Sequence, residues 1–171
     1  MTLRYEFLIH GRPLLEKPYH LTGIGLPNVY LLNGVTIEEN DDYGTLVTID
    51  RINELHSVIG RSIIRSPHEL TGEEMRFLRK QIGLTQTQLA KKFRVSNQTV
   101  ANYEKGKTEK GPADMAMRCI YLAHISTDQD IADELRQMAS YLVEVAGEPR
   151  SRSPSRKNGH WSGLASENHA G

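Results

Sequence analysis

The sequence of 171 residues contains one cysteine, Cys119, and only 6% aromatic residues. A single thiol excludes an internal disulfide, and its position in an apolar helical run predicts a buried structural side chain. No group of cysteines and histidines has the spacing of zinc ligands, so we predict no metal site and no cofactor. Because aromatic residues are scarce, the core is expected to be mainly aliphatic.

Long hydrophobic runs and catalytic motifs are missing as well. No apolar run approaches the roughly 20 residues that span a bilayer, and no signal-peptide pattern opens the sequence. We therefore expect a cytoplasmic protein with no membrane partner. The seven histidines are scattered, and Gly23 and Gly25 lack the strand–loop–helix context of a phosphate loop. Since no nucleophile elbow or kinase motif occurs either, the sequence does not indicate an enzyme.

Net charge is also absent, because 21 basic residues balance 21 acidic residues. The charges are unevenly distributed, however. Residues 71–118 contain ten basic and five acidic residues, a net charge of +5, whereas residues 1–70 have a net charge of −3 and residues 119–147 one of −4. A local excess of positive charge is typical of a nucleic-acid-binding surface. This distribution marks residues 71–118 as the candidate DNA-binding part of the chain.

Two short predicted helices joined by a tight turn occupy residues 84–106. Thr85 and Gln88 are spaced as a capping box at the start of the first helix. Ser96 follows the turn and can cap the second helix. Gly106 can adopt a left-handed conformation at no steric cost and is predicted to end that helix. This pattern predicts a helix-turn-helix, although a pair of helices used only for packing is the alternative.

The second of these helices carries amide side chains on one face. Asn97, Gln98 and Asn102 lie opposite the apolar Val100 and Tyr103. Asparagine and glutamine can each form two hydrogen bonds with adenine in the major groove, so the three amide residues are predicted to read bases. Hydroxyls, basic side chains and the first turn of a helix can bind phosphate. The residues predicted to hold the DNA backbone are Gln86, Ser96, Thr99, Lys105, Lys107 and Lys110.

With these caps, apolar positions and polar face, residues 71–107 resemble the helix-turn-helix domain of the Xre family, which includes phage repressors. The resemblance implies that Gln86 binds phosphate and that the three amide residues read bases. The family also pairs an arginine of the first helix with a glutamate that ends the recognition helix, and Arg79 and Glu104 occupy those positions. It implies a sequence-specific, double-stranded DNA-binding transcriptional regulator, most often a repressor at an operator near its own promoter.

Residues 1–66 are predicted to form a β-rich module with one helix. A first strand is predicted at residues 4–9. Asn33-Gly34 lies between two apolar-rich runs and favours a type I′ hairpin turn. With a further strand at residues 45–49, these runs would form a three-stranded antiparallel meander. An apolar stripe at steps of three and four residues predicts a helix over residues 51–64.

The N-terminal module is similar to that of MqsA-type antitoxins. The similar segments are YHLTGIGLPNVYLLNG, YGTLVTIDRINELHSVIGRSI and, after the recognition helix, GPADMAMRCIYLAHI. This resemblance covers residues 19–125 and implies a toxin protein as a second partner. The best-known members carry two CxxC pairs that bind structural zinc, and this chain has neither, so no metal is carried over. The alternative function is therefore a protein-binding antitoxin or assembly module.

Residues 67–147 are predicted to form an all-α domain of five helices, which makes the fold class α+β. Its last helix, from Thr127 to about Val145, has an apolar stripe that would serve either the domain core or a homodimer contact. The homodimer has a separate motive, because helix-turn-helix proteins commonly bind two half-sites about 34 Å apart. Residues 148–171 are rich in Ser, Gly and Arg and are predicted to be a disordered tail.

Overall fold

The computed structural model of the chain describes residues 4–126, residue 133 and, by its backbone, the strand at residues 161–166. The chain divides into two compact units, Met1–Ile59 with Arg150–Gly171, and Gly60–Pro149. The described strands belong to the first unit, and four of the described helices lie wholly in the second. The predicted α+β class is thus confirmed. The predicted boundaries at residues 66 and 147 stay a prediction.

Four strands of the first unit form one mixed sheet in the order β2-β3-β1-β6. Their bounds are Arg4–Ile9 for β1, Tyr19–His20 for β2, Val29–Leu31 for β3 and Trp161–Ser166 for β6. β1 lies parallel to β3 and antiparallel to β6, while β2 pairs antiparallel with β3. The first predicted strand therefore has the predicted bounds, and it lies between two partners.

β1 shows the period-two alternation of a strand with one buried face. Tyr5, Phe7 and Ile9 are buried, and the residues between them are half-buried. In the register of the sheet, Tyr5 pairs with Val29 and Phe7 with Leu31. Because paired residues lie on the same face, and Val29 and Leu31 are fully buried, this face forms the core of the sheet.

The predicted hairpin turn at Asn33-Gly34 is wrong. Asn33 is buried, its Oδ1 accepts a hydrogen bond from the backbone N–H of Ile9 at 2.6 Å, and its Nδ2 donates to the carbonyl of Ile9 at 3.0 Å and of Arg12 at 3.2 Å. The side chain thus pairs with the end of β1, about two dozen residues away. A turn propensity counts only local geometry, so this long-range use of the amide could not be predicted from it.

The second sheet is a separate hairpin of β4 (Val35–Asn40) and β5 (Gly44–Ile49). The Oδ1 of Asn40 accepts hydrogen bonds from the backbone N–H of Asp42 at 2.9 Å and of Tyr43 at 3.0 Å, which shapes the turn. The strand predicted at residues 45–49 is confirmed. The three-stranded meander is wrong, because among the described strands β4 pairs with β5 alone, while β3 joins the other sheet.

β6 lies within the segment that was predicted to be disordered. Each of its residues from Trp161 to Ser166 pairs with β1, and for these six residues the prediction is wrong. The composition of the segment suggests little burial, but the free edge of β1 supplies hydrogen-bonding partners that are remote in sequence. Residues 148–160 and 167–171 lie outside the described residues.

α1 runs from Ile52 to Ile64 and confirms the predicted helix. Three residues of its apolar stripe, Leu55, Ile59 and Ile63, are fully buried. The described part of the second unit then contains α2 (Gly72–Gln81), α3 (Gln86–Phe93), α4 (Asn97–Glu104) and α5 (Pro112–Ile125). The predicted last helix, from Thr127, lies outside the described residues except for Asp133, which is helical.

α5 begins with a proline in its first turn, where a helix needs no backbone N–H, and only one side of the helix is buried. Met117, Tyr121 and Leu122 are buried, whereas Cys119 is exposed. At about 100° per residue, Cys119 points away from the arc that these three residues cover. The prediction of a buried thiol is therefore wrong, because an apolar run does not reveal which side of a helix meets the core.

Arg118 of α5 is buried and anchors the segment between α1 and α2. Its guanidinium donates hydrogen bonds to the carbonyls of Ile64 at 2.9 Å, Ser66 at 2.7 Å and His68 at 2.5 Å, and its Nε lies 2.8 Å from Asp114. The planar guanidinium has five N–H donors, so one side chain can satisfy several carbonyls. These hydrogen bonds connect the segment that leads into α2 with α5.

Candidate nucleic-acid interface

α3 begins with the predicted capping box. The Thr85 hydroxyl accepts from the backbone N–H of Gln88 at 3.2 Å, and the Gln88 side chain accepts from the backbone N–H of Thr85 at 2.8 Å. The same arrangement, between Thr71 and Glu74, begins α2. Each box satisfies two backbone donors that a helix leaves without partners, so the sequence alone specifies where both helices begin.

The turn between α3 and α4 is made by Arg94, which has a left-handed backbone with φ +57°. The N–H of Val95 then donates to the carbonyl of Ala90 at 3.0 Å and closes the end of α3. Ser96 caps α4, because its hydroxyl accepts from the N–H of Thr99 at 3.0 Å. The turn and both caps were predicted. The left-handed backbone of Arg94 was not, because arginine has no preference for that conformation.

Glu104, at the end of α4, connects three helices through one buried carboxylate. Arg79 of α2 binds it with two hydrogen bonds, from Nε at 2.5 Å and from Nη2 at 3.1 Å. Arg76 of α2 contributes a contact from Nε at 3.4 Å, and its Nη2 donates to the Glu104 carbonyl at 3.0 Å. The side chain of Glu104 is 1% exposed and that of Arg79 10% exposed. Arg79 and Glu104, the two residues predicted to form an ion pair, are therefore in contact.

The surroundings of Glu104 hold it in the charged form. Burial by itself raises the pKa of this carboxyl group, but the hydrogen bonds from Arg79, Gln86 and Arg76 and the positive charge of Arg79 outweigh it and lower the pKa below the ordinary value. A buried charge is tolerated when it is paired and hydrogen-bonded. α4 is thus locked onto α2 through an ion pair that stays charged at neutral pH.

Gln86 is the third partner of the carboxylate, and sequence reasoning missed this contact. Its Nε2 donates to Oε2 of Glu104 at 2.9 Å. A carboxylate only accepts hydrogen bonds, so the amide must present its nitrogen to Glu104, which fixes its orientation. The second N–H of the amide and its carbonyl oxygen are not used by this bond. The predicted phosphate ligand is therefore already oriented by Glu104 of α4.

Close packing between α2 and α4 depends on Gly72. A Cβ atom built at this position would lie 2.5 Å from the Glu104 carbonyl oxygen and 3.0 Å from that of Tyr103. Only a residue without a side chain allows the start of α2 to meet the end of α4 this closely. Arg76 reaches the same carbonyl of Glu104, so backbone contact and ion pair reinforce each other.

The three predicted base-reading residues lie along α4. Asn97 and Gln98 are exposed and Asn102 is half-buried. Nε2 of Gln98 donates to Oδ1 of Asn102 at 3.1 Å, one helical turn away, so the two amides share one stretch of surface. The Asn97 Oδ1 lies 3.4 Å from the hydroxyl of Thr87, on α3. The amide face predicted from the sequence is present on the structure.

The predicted backbone-binding residues differ in their exposure. Ser96, Lys105 and Lys107 are exposed, while Gln86 and Thr99 are half-buried. The Ser96 and Thr99 hydroxyls contact each other at 2.8 Å beside the start of α4.

Lys110 is 6% exposed, which does not fit its predicted contact with phosphate. Its backbone N–H donates to Glu69 at 2.8 Å, which places the residue in the packed connection between α4 and α5. At the end of α3, Lys91, Lys92 and Arg94 are exposed basic residues that are not among the predicted ligands.

The His, Cys, Asp and Glu side chains of the described residues are the candidate metal ligands. Among them, no group of three or more His, Cys, Asp or Glu side chains could hold a metal ion. No helix in the described part of the chain is long and apolar enough to cross a membrane.

Comparison with known proteins agrees with the geometry of the second unit. A helix-turn-helix family model matches residues 75–116, less than half of the chain. The match includes all of α3 and α4 and supports a DNA-binding transcription regulator of the Xre-like type. No curated protein and no solved structure matches the chain significantly.

Proposed function

We propose that this protein is a sequence-specific, double-stranded DNA-binding repressor that acts as a homodimer at an operator near its own promoter. The observation that carries the proposal is the exposed amide face of α4, formed by Asn97 and Gln98 with the half-buried Asn102. These side chains belong to the class that reads adenine in the major groove.

Binding requires that α4 approach the groove in one orientation. The Glu104 carboxylate binds α4 to Arg79 of α2 and to Gln86 of α3, so the helix is held on both sides. Ser96, Thr99, Lys105 and Lys107 surround the amide face and supply hydroxyls and positive charges for the DNA backbone. Backbone contacts orient the protein and base contacts select the sequence. The arrangement therefore supports both parts of operator recognition.

The proposal is tested by fluorescence anisotropy with DNA from upstream of the gene and with scrambled DNA of the same composition. The wild-type protein is expected to prefer the upstream DNA. Gln98→Ala should reduce affinity for that DNA by about 5- to 150-fold, the equivalent of roughly 1–3 kcal/mol, with little change on scrambled DNA. Equal losses on both DNAs would contradict base reading by Gln98.

Lys107→Ala is the matched control, because it removes a charge and no base-reading group. It should weaken binding to both DNAs and reduce the slope of log affinity against log salt by about one. A reporter gene placed under the upstream DNA separates repression from activation. Repression predicts higher expression when Gln98→Ala replaces the wild type, and lower expression would mean an activator.

A second candidate function is neutralisation of a toxin protein by the N-terminal half. It is favoured by the first unit, which has its own buried core around Phe7, Val29 and Leu31 and lies outside the helix-turn-helix match. A neighbouring toxin gene whose product co-purifies with this protein would support it. If the purified toxin is inhibited equally well by a variant with a disrupted first-unit core, the N-terminal half is not the neutralising part.

A further inference from the structure

The β4–β5 hairpin stands out because it forms a two-stranded sheet of its own. Its ladder runs from the pair Val35–Ile49 to the pair Asn40–Gly44. Asn40 shapes its turn, so the hairpin is locally well specified. A two-stranded hairpin is at best marginally stable in water, and a third strand or a packed face is normally needed. The hairpin would therefore be stabilised by a further strand or by a packed face.

Both faces of the hairpin are exposed. Every residue from Gly44 to Thr48 is exposed, and the exposed fractions of Ile37, Leu46 and Val47 are 53%, 42% and 40%. Ile37 and Val47 are directly paired, so they form one apolar patch next to the half-buried pair of Val35 and Ile49. Exposed apolar groups along a strand with an open edge are typical of a surface that meets another chain.

The two open edges of the hairpin differ in charge. β4 carries Glu38 and Glu39, and Asp41 and Asp42 follow in the turn, whereas β5 from Gly44 to Ile49 contains no charged residue. β5 also lacks proline and lysine, two of the residues by which natural edge strands avoid pairing with other chains. Among the described strands only β4 pairs with β5, so the other hydrogen-bonding edge of β5 carries none of these protective residues.

We propose that the edge of β5 pairs antiparallel with β5 of a second copy of this chain, which makes one four-stranded sheet across a twofold axis. The distribution of charge distinguishes the possible strand pairings. Pairing through β4 would place carboxylates opposite carboxylates, which is destabilising, and pairing through β5 opposes no like charges. A basic partner strand would find opposite charges on β4 and in the turn but none on β5, whereas an identical neutral strand can pair with β5 without opposing any charge.

The symmetry also accounts for the apolar patch. Directly opposed residues of an antiparallel pair lie on the same face, so a twofold axis between two β5 strands passes midway between one residue and the same residue of the other copy. The patches of Ile37 and Val47 from both copies then lie on one face of the joined sheet. This contact supplies the homodimer of the regulator proposed above, on which its role at two half-sites rests, and it forms without DNA.

The test is sedimentation equilibrium of the full-length protein without DNA, over a wide concentration range. Wild-type protein is expected to be a dimer. Thr48→Lys places a charge on β5, and Thr36→Lys places the same charge on β4, at a position that is directly opposite in the hairpin and is also exposed. Thr48→Lys should raise the dimer dissociation constant at least about tenfold, because each copy then brings a positive charge to the shared edge, while Thr36→Lys should leave it nearly unchanged.

A second matched pair, Val47→Lys and Ile37→Lys, repeats the comparison on the apolar face, and circular dichroism shows whether each variant is folded. Monomeric wild-type protein would overturn the proposal. So would a dimer that Thr48→Lys and Thr36→Lys weaken equally or not at all, which would place the contact elsewhere. If the dimer behaves as expected but the protein shows no preference for upstream DNA, the repressor function fails while the β5 contact stands.

Discussion

The helix-turn-helix and the β4–β5 hairpin are both short segments, but they differ in where their charged side chains lie and what these side chains bind. In the helix-turn-helix, Glu104 is buried and binds Arg79, Arg76 and Gln86. In the hairpin, Glu38 and Glu39 are exposed, and no described strand other than β4 pairs with β5. The first region is complete within one chain, whereas the second offers unused hydrogen-bonding groups. The contrast is therefore between a region bonded within one chain and the strand edge that we propose pairs with a second copy.

The largest effect is expected from removing the charge at the centre of the first region. Glu104→Ala leaves Arg79 buried without its partner, and such a change typically costs about 3–5 kcal/mol. Urea unfolding of the helical unit should show this loss. Glu109→Ala is the control, since Glu109 is exposed. A loss below about 1 kcal/mol would mean that the ion pair adds little to the packing of α4.

A smaller loss is expected at Gly72, where helices α2 and α4 meet. Gly72→Ala would bring a Cβ atom within 2.5 Å of a carbonyl oxygen, and overpacking of this kind costs about 1–3 kcal/mol. Alanine otherwise favours a helix, so propensity alone predicts the opposite sign. Gly23→Ala, where nothing lies within 4 Å, is the control for thermal unfolding. Equal shifts of the two variants would show that the contact is not tight.

Acidification should destabilise the region around Glu104 more than the hairpin. The pKa of Glu104 is lowered in the folded protein, so its stabilising contribution is present above the ordinary value of 4.5 and is lost as the pH falls through the folded-state pKa. Glu104→Gln, which cannot titrate, should be less stable at neutral pH but lose less stability on acidification. Parallel stability–pH curves for the variant and the wild type would assign the acid sensitivity to other groups.

The smallest effect is expected in the hairpin of a single chain. Leu46→Thr changes an exposed residue in a strand that other described elements do not cover, so the unfolding free energy should change by no more than about 0.5 kcal/mol. The measurement belongs at low protein concentration, where chains are separate. A loss of several kcal/mol there would mean that the side chain is packed within its own chain, and the contrast between the two regions would disappear.

Interactions within a few residues were predictable in detail. The capping boxes of Thr71 and Thr85 and the cap of Ser96 follow from sequence spacing, because each cap bonds to a backbone group three residues away. The apolar stripe of α1 and the amide face of α4 follow from helical periodicity for the same reason. The resemblance to a known family then identified Arg79 and Glu104 as partners, which spacing alone could not have done.

The tertiary structure decided which remote groups meet. Asn33 looked like a turn residue but bonds to the end of β1, and β6 pairs with β1 although its composition suggested disorder. Gln86 is predicted to bind phosphate and already contacts Glu104 across the helix-turn-helix. The sequence by itself determined where the helices begin and which residues lie on the same face of each helix. Contacts between groups far apart in the chain depend on how elements pack, and that information is not contained in any local pattern.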